Sequence, residues 1–147
     1  MEKKEIKNCF KTGAISPVFI GESIAKHQQK KNIGAHQIFL GQVRADILGE
    51  KEVQAIEYSA YEEMANDEFY KIREAAFSRF DLICMHIYHS IGVVKAGEIC
   101  LFVFVSSKHR KMAQQAVEFL VEEIKLKAPI FGKEIFADNS YAWKVNN

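Results

Sequence analysis

The chain is sparing in the residues that mark special architectures: 147 residues hold two prolines, three cysteines, eight glycines and one tryptophan. So few prolines leave no Pro-rich linker, and no repeat or low-complexity tract divides the chain, so residues 1–147 read as a single domain. The glycines form neither a phosphate-cradling loop nor a dinucleotide fingerprint, and there is no nucleophile elbow or paired-histidine zinc motif. Cys9, Cys84 and Cys100 are odd in number and widely spaced, without a C-x-x-C pair, which excludes a disulfide framework. Cys84 and Cys100 sit in apolar runs and read as buried thiols.

Long apolar runs are missing as well. The longest, Ile99–Val105, is far short of the roughly 20 residues that a spanning helix needs. The polar start, Met1 to Lys7, lacks the apolar core of a secretory leader. A cytoplasmic protein without membrane contact is the expectation. Charge of one sign is also lacking: the net charge is +1, which argues against a general binder of nucleic acid. That sum conceals an alternation, because residues 1–44 and 108–133 are net positive while 45–82 are acidic. With 48% hydrophobic residues, the chain has enough apolar material for a folded core.

Periodicity organises what is present. Ser16-Pro17 is a helix start, with serine able to cap and proline suited to the first turn, and the helix is expected to reach Lys30. Ile33–Arg44 and Val53–Ala60 read as strands. Tyr61, Met64, Ala65, Phe69, Ile72, Ala76 and Phe80 then follow helical spacing. Leu82–Ile91 and Glu98–Ser106 are strand-like, joined through Gly92 to Gly97 as a turn. A further helix from His109 to Lys127 carries Met112, Ala113, Ala116, Val117, Leu120 and Ile124 on one stripe, and Pro129 stops it. A hairpin follows, Ile130–Phe136 and Tyr141–Val145. The order implies an α+β domain with helices packed on a mostly antiparallel sheet.

Candidate chemistry lies at element ends. Gly41 inside a strand marks close approach of a ligand or another backbone, and Arg44 ends that strand with a fork of donors suited to phosphate, or is simply a surface arginine. Ser106-Ser107-Lys108-His109-Arg110 opens a helix, where free N–H groups favour an anion. Lys125 sits in the last turn of the same helix, where lysines complement the dipole. Lys133 and Glu134 follow Gly132 on a short strand. His86 and His89, three apart in a strand, point to opposite faces, so no metal is assigned. Arg110 and Lys125 are about 22 Å apart at roughly 1.5 Å per residue. One small substrate cannot touch both within a subunit, so a site using both is assembled across a two-fold dimer.

Together, Gly34-Ala35 with Phe39-x-Gly41-x-Val43-Arg44, Glu57-Tyr58-x-x-Tyr61-x-x-Met64-Ala65, His89-x-x-Gly92, Gly97-Glu98, Ser106-Ser107-x-His109-Arg110, Lys125-x-x-Ala128-Pro129-Ile130-Phe131, Lys133-Glu134 and Trp143 resemble the catalytic subunit of molybdopterin synthase. The resemblance implies an α/β hammerhead fold with three packed helices and a small β subdomain. It implies a sulfurtransferase, without a cofactor of its own, that builds the dithiolene of molybdopterin on cyclic pyranopterin monophosphate. The sulfur donor would be the thiocarboxylated Gly-Gly C-terminus of a small ubiquitin-like partner, in a heterotetramer around a homodimer of this chain. By the same resemblance, Gln42, Val43, Arg44, His109 and Arg110 would contact substrate, with Lys133 and Glu134 on the substrate side, and Lys125 would be catalytic. The family commonly has two adjacent basic residues after the Pro-aromatic segment, the first implicated in catalysis; here that position is Gly132. Lys133 is the remaining catalytic candidate and needs a local twist or bulge to reach the same face. A rival expectation is a non-catalytic α+β module that binds a small anion or RNA through Arg44 and Arg110.

Overall fold

The computed structural model describes residues 5–145; residues 1–4 and 146–147, the two ends of the domain expected over 1–147, lie outside the described residues. The strands are β1 (Phe10–Thr12), β2 (Ala35–Gln42), β3 (Ile47–Leu48), β4 (Lys51–Ala60), β5 (Cys84–Lys95), β6 (Ile99–Ser107), β7 (Ile130–Phe136) and β8 (Tyr141–Trp143). The helices are α1 (Pro17–His27), α2 (Glu62–Arg79) and α3 (Arg110–Lys127). The strand order is β2-β6-β5-β4-β7-β8, with β3 beside β4 and β1 beside β5. Every pairing is antiparallel except β1 with β5. This is the expected α+β architecture.

Helix boundaries follow local chemistry. The Ser16 side chain accepts from Val18 N at 3.1 Å and Pro17 occupies the first turn, as the sequence requires. α1 ends at His27 rather than Lys30. At the end of α3, Ala128 already has extended backbone ahead of Pro129.

β5 departs most from expectation. Gly92 does not turn the chain; the strand runs through it to Lys95. Its first half, Cys84–His89, pairs with β6, while Gly92–Lys95 pairs with β4. Gly92 has φ +87°, a left-handed value that glycine adopts without the usual Cβ penalty. One strand thereby links the main sheet to the smaller β4-β7-β8 sheet. The turn is only the short connection around Gly97, φ +91°.

Each sheet face buries a different set. Phe69, Ile72 and Ala76 of α2 and Ala116, Leu120 and Ile124 of α3 pack with Met85, Ile87, Leu101, Val103 and Val105. Ile20 of α1 and Ile15 pack with Phe102 and Phe104 on the opposite face. That two-sided cover explains why β6 is apolar at successive positions rather than alternating. Tyr61 and Met64, expected on the apolar stripe of α2, are exposed, because the stripe is used from Ala65 onward. All three cysteines are buried and free. No helix among the described residues is long and apolar enough to cross a membrane.

Candidate active site

Register on the small sheet decides which side chains meet. Tyr58 lies opposite Gly132, Ile56 opposite Glu134, and Glu134 opposite Ala142. Lys144 N donates to Gly132 O at 2.8 Å, which extends the hairpin by one step and sets Lys144 across from Gly132. Cross-strand partners share a face. Ile56, Tyr58, Gly132, Glu134, Ala142 and Lys144 therefore lie on one side. The end of α3 comes down over that side and brings Lys125 with it.

Two adjoining clefts result. One, about 400 Å³, is lined by Tyr58, His89, Lys125, Gly132, Trp143 and Lys144 among others. The second, about 550 Å³, takes in Gln42, Arg44, Asp46, Lys125, Glu134 and Lys144. Lys125 and Lys144 belong to both. Each volume suits a small-molecule ligand. A separate hollow of about 380 Å³ lies against α2, among Phe69, Met85 and Ile87, away from the candidate residues.

The electrostatics of the clefts follow from burial. His89 is 3% exposed, and its Nδ1–H donates to Ser90 O at 2.7 Å in the neutral tautomer. Loss of solvent, with the charge of Lys125 adding to it, holds its pKa down to about 4, so it is neutral at pH 7. The Tyr58 ring meets the His89 ring edge-on at 5.1 Å. Burial is the main cause that pushes the Tyr58 hydroxyl well above its ordinary range, and the Cys100 thiol adds to it. Burial also lowers the Lys125 pKa; Cys100 opposes that shift and the positive charge of Lys144 reinforces it. Lys125 is thus a partly desolvated amine among aromatic and cationic neighbours. Such an amine stabilises developing negative charge strongly and gives up its proton more readily than a solvated lysine.

The other expected residues divide. Gln42 and Arg44 reach the second cleft, carried there by a register shift between Gly41 and Gln42. The close approach at Gly41 is by β6, since a Cβ there would lie 3.1 Å from Leu101 Cβ. Arg44 is largely exposed and pairs with Asp46 at 3.2 Å. Glu134 lines the same cleft. Val43 corrects the expectation of substrate contact: its side chain is 1% exposed in the core, its N–H donates to Glu98 O, and its carbonyl accepts from Gly97 N.

Lys133 also differs from expectation. β7 is regular there, so its side chain takes the opposite face, 3.7 Å from Glu57 Oε1 and above the Tyr141 ring at 4.4 Å. No bulge forms beside Gly132; the irregularity in that pairing falls between Val53 and Ala55.

His109 and Arg110 stand at the start of α3, the far end from Lys125. Their junction is tightly built: Ser106 and Ser107 are fully buried, and Ser107 Oγ donates to His109 O. A Cβ on Gly34 would fall 2.1 Å from Lys108 O, so only glycine fits beside this turn. Arg44, beside Lys125, and Arg110, at the other end of α3, consequently share no patch within one subunit.

His86 and His89 do face opposite ways, as their spacing required. His86 instead meets two residues that sequence reasoning did not join to it. The ligand atoms of His27, Cys84 and His86 lie within 4.8 Å of one another on the α1 side. Hydrogen bonds already engage them: His27 Nδ1 with Ser23 O, His27 Nε2 with His86 Nε2, and Lys30 Nζ with Cys84 Sγ, at 2.7, 2.9 and 2.9 Å. This cluster is separated from the Lys125 clefts by the sheet.

Sequence reasoning missed Lys144 as a site residue and treated Tyr58 and His89 only as parts of a motif. The register of the hairpin Ile130–Phe136 with Tyr141–Val145 was the available signal for Lys144.

The fold and clefts define an α+β protein with a partly buried amine where two adjoining clefts meet. The particular family follows from comparison: the chain belongs to the MoaE protein family, whose model matches residues 15–127. It is 39% identical over 108 residues to the molybdopterin synthase catalytic subunit of Pyrococcus abyssi, covering 74% of this chain and 72% of that protein. The corresponding subunit of Bacillus subtilis is 38% identical over 117 residues, 80% of this chain and 74% of the relative. For the bovine subunit the identity is 34%, over 77% of this chain and 59% of the longer relative. The crystal structure of molybdopterin synthase from Staphylococcus aureus superposes with a TM-score of 0.80 at 28% identity, covering 96% of this chain and 99% of that chain.

Proposed function

We infer that this chain is the catalytic subunit of a molybdopterin synthase, a sulfurtransferase that converts cyclic pyranopterin monophosphate to the dithiolene of molybdopterin. The observation that carries this reading is the partly desolvated Lys125 at the meeting point of two clefts, with Gln42, Arg44 and Glu134 along one of them, in a chain of the MoaE family. A small ubiquitin-like partner supplies sulfur as a C-terminal Gly-Gly thiocarboxylate. The exposed Tyr61, Leu126, Phe131 and Trp143 beside the cleft mouth offer an apolar surface for its tail. The work is that of a cytoplasmic enzyme with no cofactor of its own.

In each transfer the thiocarboxylate sulfur forms a bond to a precursor carbon as a C–O bond at that carbon breaks, its oxygen leaving as water or, where it belongs to the cyclic phosphate, remaining on the opened phosphate monoester. Water then adds to the partner's acyl carbon and the bond from that carbon to sulfur breaks, so the partner is left with a carboxylate and the sulfur stays on the precursor. Negative charge develops on the acyl oxygen as water attacks, and Lys125 is placed to stabilise it or to pass a proton. Arg44 suits the phosphate through its guanidinium fork. His109 and Arg110 lie too far along α3 to serve the same site, so they complete the site of the second subunit in a two-fold dimer, within a heterotetramer with the partner.

Reconstitution tests this directly. Purified chain, thiocarboxylated partner and cyclic pyranopterin monophosphate yield molybdopterin, and Lys125→Ala folds normally but loses turnover. Wild-type protein that binds the partner yet never produces dithiolene would overturn the reading.

A further inference from the structure

The β7–β8 hairpin ends in a lysine that the reading above does not use. Lys144 is held across from Gly132 by its own N–H to Gly132 O, 2.8 Å. Its stem rises beside the surface that Gly132 leaves bare: a Cβ on Gly132 would lie 3.7 Å from Lys144 Cβ, 3.5 Å from Tyr58 Cε1 and 3.1 Å from Ile56 Cγ2. Glycine at 132 thus keeps an open floor between Tyr58 and the lysine. Lys144 lines both clefts, and its charge is felt at Lys125.

We propose that Lys144 is a second cationic binding residue of the Lys125 cleft, presented from the position just after β8 across the bare face of Gly132 to grip the anionic reactant. This rests on the functional reading above. The shared chemistry of its ligand is an oxyanion, supplied either by the partner's thiocarboxylate or by the phosphate of the precursor. Two ammonium groups on one cleft repel until an anion lies between them, so the site is complementary to bound reactant rather than to its own empty state. The groups facing Lys125 are Tyr58 from β4, His89 from β5, Cys100 from β6, Glu134 from β7, Arg44 and Asp46 beyond β2, and Lys144. Of the two carboxylates, Asp46 is paired with Arg44 and Glu134 can answer the cationic charge of the lysines; Glu134 stands on the same face as Gly132, two residues away.

The test uses Lys144→Met, which keeps the stem and removes the charge, and Lys144→Arg, which keeps the charge. In the reconstituted system Met lowers turnover roughly tenfold or more, while Arg retains most of it. A raised KM for cyclic pyranopterin monophosphate assigns the phosphate as the ligand; weaker binding of the thiocarboxylated partner assigns its tail. Adding Gly132→Lys to Lys144→Met returns a cation to the same face and restores part of the lost rate. Separately, lysine-resolved NMR on the chain alone reads the titration of Lys125, which moves to higher pH in Lys144→Met because a repelling charge is gone. Wild-type turnover with an unchanged Met variant and an unmoved Lys125 titration overturns the proposal and leaves the sulfurtransferase reading standing. A wild-type chain that does not turn over defeats that reading instead, and the titration then decides the place of Lys144.

Discussion

Two lysines on one hairpin, Lys133 and Lys144, end in opposite settings. Lys133 lies on the outer face with Glu57 3.7 Å away and the Tyr141 and Trp143 rings beneath its ammonium. Lys144 lies on the inner face, where the end of α3 closes over the small sheet and the neighbours are Lys125, Tyr58 and His89. Residue type and charge are the same. The pleat separates them, because adjacent positions on β7 face opposite ways and each cross-strand partner shares its neighbour's face. A basic residue beside a glycine is therefore no guide to which face of the sheet it serves.

The comparison can be broken most sharply at Lys125, which anchors the inner face. Lys125→Ala is expected to cut reconstituted sulfur transfer by about a hundredfold or more, the scale for removing a main stabiliser of developing charge, with an unchanged circular dichroism spectrum. Mixing that variant with inactive Arg110→Ala tests whether each site draws on both ends of α3 from different subunits. Random exchange should restore about a quarter of wild-type activity, since half the dimers are mixed and each mixed dimer holds one intact site. No recovery on exchange would place both residues in one subunit's site.

The faces should also separate by pH. His89 is neutral in the folded chain with a pKa of about 4, whereas unfolded histidine titrates near 6.5. Between those values the unfolded state holds more protons, so stability rises with pH through this window and is lost as pH falls from about 6.5 toward 4. His86, also lowered to about 4 mainly by burial, adds to the same slope from the α1 side. Urea midpoints at pH 7 and pH 5 measure the sum, and His89→Gln should flatten part of it. The smallest effect belongs to the outer face. Lys133→Ala removes one partly exposed ion pair and should shift stability by less than about 1 kcal/mol, with turnover within about twofold of wild type. A large loss of turnover in Lys133→Ala would overturn the division into two faces.

Much of the fold was legible because its signals are local. Ser16-Pro17 opens α1, the stripe from Ala113 to Ile124 is the buried side of α3, and the alternation around Ile56 and Tyr58 is β4. Gly92 misled because a glycine between two apolar runs resembles a turn, and only the handoff of β5 from β6 to β4 uses its left-handed φ inside a strand. β1 and β3 were not anticipated; three- and two-residue strands carry almost no periodic signal. Val43 stood in the right segment but on its core-facing side, a matter settled by the register shift after Gly41. The cluster of His27, Cys84 and His86 joins residues from an α-helix and a strand, so spacing along the chain could not reveal it.

By itself the sequence determined the class of fold, the family and the segments that carry basic residues, because helix periodicity, caps and ordered motifs are properties of neighbouring residues. It also determined that Arg110 and Lys125 cannot serve one small substrate within one subunit, since helix rise converts residue number into length. Only the tertiary structure decided which lysines share a cleft and which residue is core. Those outcomes depend on strand register and on how α3 closes over the small sheet. A side chain's face flips with a single step of register, whereas composition and order do not change at all.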